Sequence, residues 1–423
     1  MGYTNQDGVM KGTNYQRYTL QSKQDFKKGI FQAGTNVVLT YDQSNPLYSV
    51  IRGGMVGHTL QAIPTWEQYD ENRTGGYGGL YGDVVNLTHP LGMVDDNLMK
   101  RYSDNVKIFA NAYVSVELMK GLKYKLNLTP DFQFYRYNSY EGLFDFGLAK
   151  HDITAVTEQQ TRTRNILVEN LLTFDRTFGD HKVSALVGYT YQDSRYRYMQ
   201  GSGQGMPTGI TEIDAASQGL AVSGNSSRSV LTSILGRAFY SYKNRYLLTA
   251  TIRRDGSSKF GSNYRYGNFP SVSVGWNIAE EDFVKNSVSW LDQLKLRGGY
   301  GVLGNQEIDN YQYVSVVTTG INYPDGKSGL IQGAFPKTFA NPDIKWEETA
   351  MTNVGIDASL LNGNLDFSFE FFDKRTSDIL RKVTLPDQVG GLDGPIRNIG
   401  EVSNKGFELS LIHISEPTRL RRI

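Results

Sequence analysis

The feature that most constrains this chain is a two-residue period sustained over long segments. Ile108, Ala110, Ala112, Val114, Val116 and Leu118 fall on one side of an extended chain, and Asn111, Ser115 and Glu117 on the other. After a short turn at Met119-Lys120-Gly121, Leu122, Tyr124, Leu126 and Leu128 alternate with Lys123, Lys125, Asn127 and Thr129. Strand side chains point alternately to opposite faces. Alternation over about ten residues fits a membrane strand better than the strand of roughly five or six residues usual in soluble sheets. A Lys at the bilayer midplane costs roughly 2–4 kcal/mol, so only one parity can face lipid. A slip of one residue would invert every side chain.

The pattern recurs along the chain. Phe31, Ala33, Thr35, Val37, Leu39 and Tyr41 form one such face, and Val183, Ala185, Val187, Tyr189 and Tyr191 another. Tyr246, Leu248, Ala250 and Ile252 are followed by Val272, Val274, Trp276 and Ile278, and then Val354, Ile356, Ala358 and Leu360 by Leu365, Phe367, Phe369 and Phe371. Roughly thirteen or fourteen strands are expected, the first beginning near Gln16. Only 39% of residues are hydrophobic, yet aromatics reach 12%, with 27 Tyr and 45 Gly. That balance suits strands with one face to lipid, the other to a wet lumen, and Tyr and Trp at the interfaces. No run of about 18 apolar residues offers a transmembrane helix.

The connections sort by length. Short ones fall at Lys27-Lys28-Gly29, Met119-Lys120-Gly121, Phe178-Gly179-Asp180-His181, Tyr242-Lys243-Asn244-Arg245 and Leu361-Asn362-Gly363-Asn364. Long polar ones occupy residues 42–105, 138–162, 194–227, 255–268, 303–348 and 376–404. Short periplasmic turns opposite long extracellular loops are the asymmetry of outer-membrane barrels. Residues 279–292 read as a small helix or turn at the periplasmic rim. The fold class is therefore all-β, an antiparallel transmembrane β-barrel in contact with outer-membrane lipid. A soluble sandwich or propeller would alternate too, but with shorter strands and without this two-sided sorting.

Four ordered segments carry a family resemblance: RRDGSSKFGSNYRYGNFPSVSVGW (253–276), LKLRGGYGVLGNQEI (294–308), NPDIKWEETAMTNVGID (341–357) and NIGEVSNKGFELSL (398–411). With LLTFDRTFGDHKVSALVGYTYQ and SYKNRYLLTATIRRDGSS upstream, they resemble the SusC/RagA family of TonB-linked outer-membrane proteins over most of residues 171–411. The motifs read as wall-building chemistry: Asp255-Gly256-Ser257-Ser258 as a turn at a strand's exit, Phe269 and Trp276 as girdle residues at the two ends of one strand, and Asn362-Gly363 as a hairpin turn.

The resemblance implies active import of an oligosaccharide or peptide, energised by TonB, with a SusD-like surface lipoprotein as partner. It also implies a plug, a TonB box and a barrel of about 22 strands. Residues 1–411 are expected to be a partial barrel without plug or TonB box, leaving two unpaired edges that hydrocarbon does not tolerate. Residues 412–423 (IHISEPTRLRRI) break the apolar alternation and resemble translated sequencing-adapter read-through, a non-native tail. A passive porin, or a secreted β-rich adhesin, are the rival readings; an upstream plug and TonB box would separate import from a porin, and membrane fractionation would exclude an adhesin.

Nothing in the chain reads as a catalytic, metal or cofactor site. His58, His89, His151, His181 and His413 are scattered, and Cys is absent, so no zinc motif forms. A net charge of +1 gives no footprint for nucleic acid. In the first long loop, Asp70, Glu71, Asp83, Asp95 and Asp96 are candidate calcium ligands only in the weak sense that they are carboxylates in one loop. Trp66, Tyr69, Tyr77 and Tyr81 in the same loop are candidate ligand-binding residues, since aromatics beside glycines and amides suit sugar rings. The competing reading is that they pack the loop down.

Overall fold

Tight turns decide which segments become neighbours. The computed structural model describes residues 1–46, 54–79, 87–327, 329–389 and 393–413. Its strands are β1 (Gly2–Asp7), β2 (Asn14–Lys28), β3 (Phe31–Asn45), β4 (Met99–Met119), β5 (Leu122–Glu141), β6 (Phe144–Asp145), β7 (Lys150–His151), β8 (Ala155–Phe178), β9 (His181–Gln204) and β10 (Gln218–Tyr242). They continue as β11 (Tyr246–Ser257), β12 (Tyr266–Asn277), β13 (Leu291–Asn305), β14 (Val317–Pro324), β15 (Leu330–Pro336), β16 (Glu347–Leu360), β17 (Leu365–Ser377), β18 (Leu380–Lys382), β19 (Ile396–Asn398) and β20 (Val402–His413). Fourteen form one antiparallel sheet in the order β1-β2-β3-β4-β5-β8-β9-β10-β11-β12-β13-β16-β17-β20. The hairpins β6–β7, β14–β15 and β18–β19 lie in the long loops. Among the described residues, β1 and β20 each pair on one side only.

The turns show their chemistry. Gly121 and Gly179 have positive φ, which costs glycine nothing. Leu361, Asn362 and Gly363 also have positive φ, the conformation that lets a tight hairpin follow the strands' twist. Residues 278–290 hold a 3-10 turn (Ile278–Glu280) and α2 (Asp282–Lys285), a small helical element at the short-turn rim. Between β3 and β4 lies α1 (Gly54–Gln61).

The register joins the alternating faces into one belt. Leu39 stands opposite Ile108 and Ala33 opposite Val114, while Val114 stands opposite Leu126. Leu172 meets Val187, Tyr240 meets Leu248, and Leu248 meets Val274. Ile356 meets Phe369, and Phe371 meets Phe407. This face is exposed: Val114 is 50% accessible, Val187 59% and Leu409 65%. A contiguous apolar surface of this size marks a lipid contact rather than a water-facing wall. The opposite face carries Asn111, Asn127, Glu169, Ser233, Arg297 and Asp357.

Several expectations need correcting. A strand precedes Gln16, since β1 pairs with β2 from Gly2–Thr19 onward. The wall strands also run further outward than the alternation suggests. The segment 194–227 holds the end of β9 and the start of β10, which remain in register from Ser194–Ser229 to Ser202–Ala221. The apolar alternation disappears there because neither face has hydrocarbon to meet, not because the strand stops. Ile278 leaves the strand for the 3-10 turn. Gly256 and Ser257 are still paired with β10, so the turn after β11 begins later than Asp255.

Phe269 is not a girdle residue. It lies an odd number of residues from Trp276, on the opposite face, and is only 7% exposed. At the other end, Leu365–His413 and Asp366–Ile412 extend the β17–β20 ladder two residues past Leu411; residues 414–423 lie outside the described part.

Candidate functional site

Polar and aromatic chemistry gathers in the first long loop, on the wet face of the wall beneath a second loop cluster, and at the short-turn rim.

In the first loop, Trp66 stands edge-on to His89 at 4.8 Å between ring centroids, and its Nε1 donates to the Gly78 carbonyl at 3.0 Å. Tyr77 lies 5.2 Å from His89 and 6.1 Å from Phe146, and its hydroxyl donates to Asp95 Oδ2 at 2.9 Å. Burial and the Asp95 carboxylate push the Tyr77 phenol up to about 12. Burial also lowers the His89 pKa. Beneath them Met55, Met93, Leu98, Met99, Phe144 and Phe146 form a buried cluster.

Trp66 and Tyr77 are thus built into the loop's own packing. Tyr69, stacked obliquely on Tyr77 at 5.6 Å, remains 63% exposed. Tyr81 lies outside the described residues, as does Asp83. Asp70 is occupied by the Asn72 amide and Arg73 Nε, and Asp95 by Tyr77 and the Asn97 amide. Glu71 and Asp96 are exposed. Among the described residues no three potential ligands converge on a metal position.

The motif segments meet at a second cluster. Phe260, Phe269, Ile308, Ile344 and Trp346 pack together, with Trp346 5.0 Å from Phe260 and 5.3 Å from Phe269. Trp346 Nε1 donates to the Arg265 carbonyl at 3.2 Å. Gly267 and Gly304 both abut the Phe269 ring so closely that a Cβ at either would strike it, which is why glycine stands at these two positions.

Lower on the same face, two motifs join through one arginine. Arg297 donates through Nε to Asp357 Oδ2 at 2.9 Å and through Nη1 to Glu370. Ser368 Oγ donates to Asp357 at 2.7 Å and Asn353 Nδ2 to Glu370 at 3.2 Å. A depression of about 260 Å³ beside them is lined by Phe239, Thr249, Ser273, Lys295, Arg297 and Asn353, among others. A second polar run links Asn111 to Asn127 at 2.9 Å and Asn127 to Glu169 at 2.8 Å. These groups could not face hydrocarbon. Sequence reading did not single out Arg297, Asp357 or Glu370; the available signal was their parity, opposite to Leu296, Ile356 and Phe369.

At the short-turn rim the Tyr242, Tyr246 and Trp276 rings run in a row, 6.4 Å between neighbours. Trp276 Nε1 and the Tyr246 hydroxyl both donate to Glu281 Oε1, at 3.0 and 2.7 Å, while Arg245 Nη1 reaches Oε2 at 3.0 Å. These hydrogen bonds, from Tyr246 first and then Trp276, hold the Glu281 carboxyl below its ordinary value. The row is an interfacial girdle with a polar anchor.

Known proteins share this layout. The chain is 30% identical to a TonB-dependent receptor of Formosa agariphila over 100% of its own length and 39% of that protein. It is 27% identical to the TonB-dependent receptor SusC of Bacteroides thetaiotaomicron, covering 97% of this chain and 42% of that one. The chain therefore spans well under half the length of these curated relatives. The RagAB peptide transporter structure superposes with a TM-score of 0.85 at 22% identity, covering 98% of this chain and 46% of the other. That likeness establishes the fold, and the family profile described as "TonB dependent receptor-like, beta-barrel" matches residues 3–415. The chain belongs to the TonB-dependent receptor β-barrel family and forms an outer-membrane wall.

Proposed function

We propose that this chain is part of the wall of an importer that takes up an oligomeric nutrient, a glycan or a peptide, across the outer membrane. The observation that carries the reading is the two-faced wall: a continuous apolar belt outside, and inside it charged networks such as Arg297–Asp357–Glu370, in a chain that aligns over 97% of its own length with 42% of the receptor SusC. A passage for a polar solute needs such a lining, while the chemistry of an enzyme site is not required. Energy from TonB and a SusD-like lipoprotein over the long loops belong to the same proposal. Among the loop aromatics, Tyr69 offers the exposed ring, and Trp66 and Tyr77 hold the loop that presents it.

The test is uptake in the native host. A strain lacking the gene should lose accumulation of the cognate labelled oligosaccharide or oligopeptide, and a protonophore should reproduce that loss in the wild type. Uptake that persists under the protonophore yet depends on the gene points to a passive pore. Replacing Tyr69 with alanine should weaken oligomer binding by calorimetry; unchanged affinity removes the aromatic-contact reading while leaving the import reading in place.

A further inference from the structure

On β8, β9 and β10 the lipid-facing parity does not end with the apolar belt. Above Val168, Tyr191 and Thr232 come Ile166, Asp193 and Val230, then Arg164, Arg195 and Arg228 side by side, then Arg162 and Arg197. Asp193 lies ten residues beyond Val183 at the short-turn end. At about 3.4 Å per residue and a tilt of roughly 40°, that is a height of about 25 Å, the thickness of the apolar band. The arginines therefore begin where the hydrocarbon of the outer leaflet ends.

Their charges are poorly compensated. Asp193 is 6% exposed. It takes Arg228 at 2.9 and 3.1 Å and Arg195 at 3.2 Å through both pairs of atoms, and Arg164 stands 3.9 Å away. Two bidentate partners fill a carboxylate's acceptor sites, whereas each guanidinium carries five N–H donors. Arg164 Nε is buried with no hydrogen-bond partner. Arg162 lies over the Phe134 ring at 5.3 Å. The next acid outward on β8, Glu158, accepts from Gln160, and Arg136 nearby is already paired with Asp104 at 2.8 Å. A cleft of about 420 Å³ is lined by these five arginines and Tyr311, among others.

We propose that this cleft binds the phosphate of an outer-leaflet lipid head group, whose acyl chains lie against the apolar belt below. Guanidinium forks match phosphate oxygens geometrically, and a phosphate fixed to a lipid arrives at this height by its anchorage. A free phosphate would lack the belt contact.

The experiment uses the full-length outer-membrane protein purified in a neutral detergent, with bisphosphorylated lipid A as probe. Wild type should retain the lipid in native mass spectrometry and gain thermal stability when it is added. The variant R164Q/R195Q/R228Q should lose both. Because that change also strips Asp193 of its partners, R162Q/R197Q serves as a second variant: neither of its arginines has an acid within ion-pair distance among the described residues, and it should bind at least about tenfold more weakly. Dephosphorylated lipid A should give no stabilisation. The proposal is overturned if R162Q/R197Q binds lipid A like wild type, if the dephosphorylated lipid stabilises equally, if inorganic phosphate alone reproduces the shift, or if the variants instead change the oligomeric state, which would make the cleft a protein interface.

Discussion

The inner and outer halves of β8, β9 and β10 are built on the same ladder but obey different rules. Pairing is unbroken from Phe178–His181 at the short turn to Ala155–Gln204 at the loop end. In the inner half the exposed face carries Leu172, Phe174, Val183, Ala185, Val187, Ala238 and Tyr240. In the outer half the same parity carries Arg162, Arg164, Arg195, Arg197 and Arg228. The backbone hydrogen bonds satisfy themselves in either medium; only the side chains report which medium is present. A strand in lipid must alternate, and a strand with water on both sides need not. The outer half therefore draws its order from packed clusters rather than from hydrocarbon: Tyr140–Val156–Met206 at the ends of β8 and β9 and, reached through Leu231 of β10, Phe260–Phe269–Trp346.

The largest effect is expected where an outer cluster loses its central ring. Trp346→Ala removes a side chain 5% exposed, and such truncations cost about 3–5 kcal/mol. The expected result is protease sensitivity of the surface loops on intact cells, with normal abundance of heat-modifiable barrel in the membrane. Loss of barrel assembly as well would show that wall and loops do not stand independently.

A matched pair of substitutions separates the two media. Val187→Arg places a charge on the exposed face near mid-belt and should cost roughly 2–4 kcal/mol in refolding from urea into vesicles. Val222→Arg makes the same change on the same parity, at a residue 82% exposed but on the outer half of β10, and should stay within about 0.5 kcal/mol. Equal penalties at the two sites would remove lipid as the cause of the alternation.

This division also explains what could be read from residues alone. Faces and register were legible wherever lipid enforced them: Val37, Val114, Val187, Leu248, Val354 and Phe369 stand where alternation placed them. The outer strand ends were not, because Thr161-Arg162-Thr163-Arg164 and Arg195-Tyr196-Arg197-Tyr198 alternate between two kinds of polar or aromatic residue and carry no apolar signal. Phe269 and Trp276 close the two ends of one strand on different faces, and their odd separation is the signal in the residues that puts Phe269 inside. For the loop aromatics, composition could not distinguish a ring that packs, as Trp66 and Tyr77 do, from one that is offered to a ligand; that depends on His89 and Asp95 in the same connection and on Phe146 from beyond β5, which only the fold brings against the rings.

The smallest expected effect concerns the opposite rim, where order comes from a single carboxylate rather than from a cluster or a bilayer. Glu281 has its pKa lowered in the folded protein from an ordinary 4.5 by hydrogen bonds from Tyr246 and Trp276 and by the charge of Arg245. A depressed carboxyl contributes stability that is present above its unfolded value and is lost as pH falls through the folded one. The stability difference between wild type and Glu281→Gln should therefore be constant above about pH 4.5 and shrink below it. Thermal midpoints of both proteins, measured in detergent from about pH 7 down to about pH 3, give that difference with other titrating groups largely cancelled. A difference that stays flat through the acid range would mean that the girdle rings, and not the charge on Glu281, fix this rim, making it a second region ordered by packing.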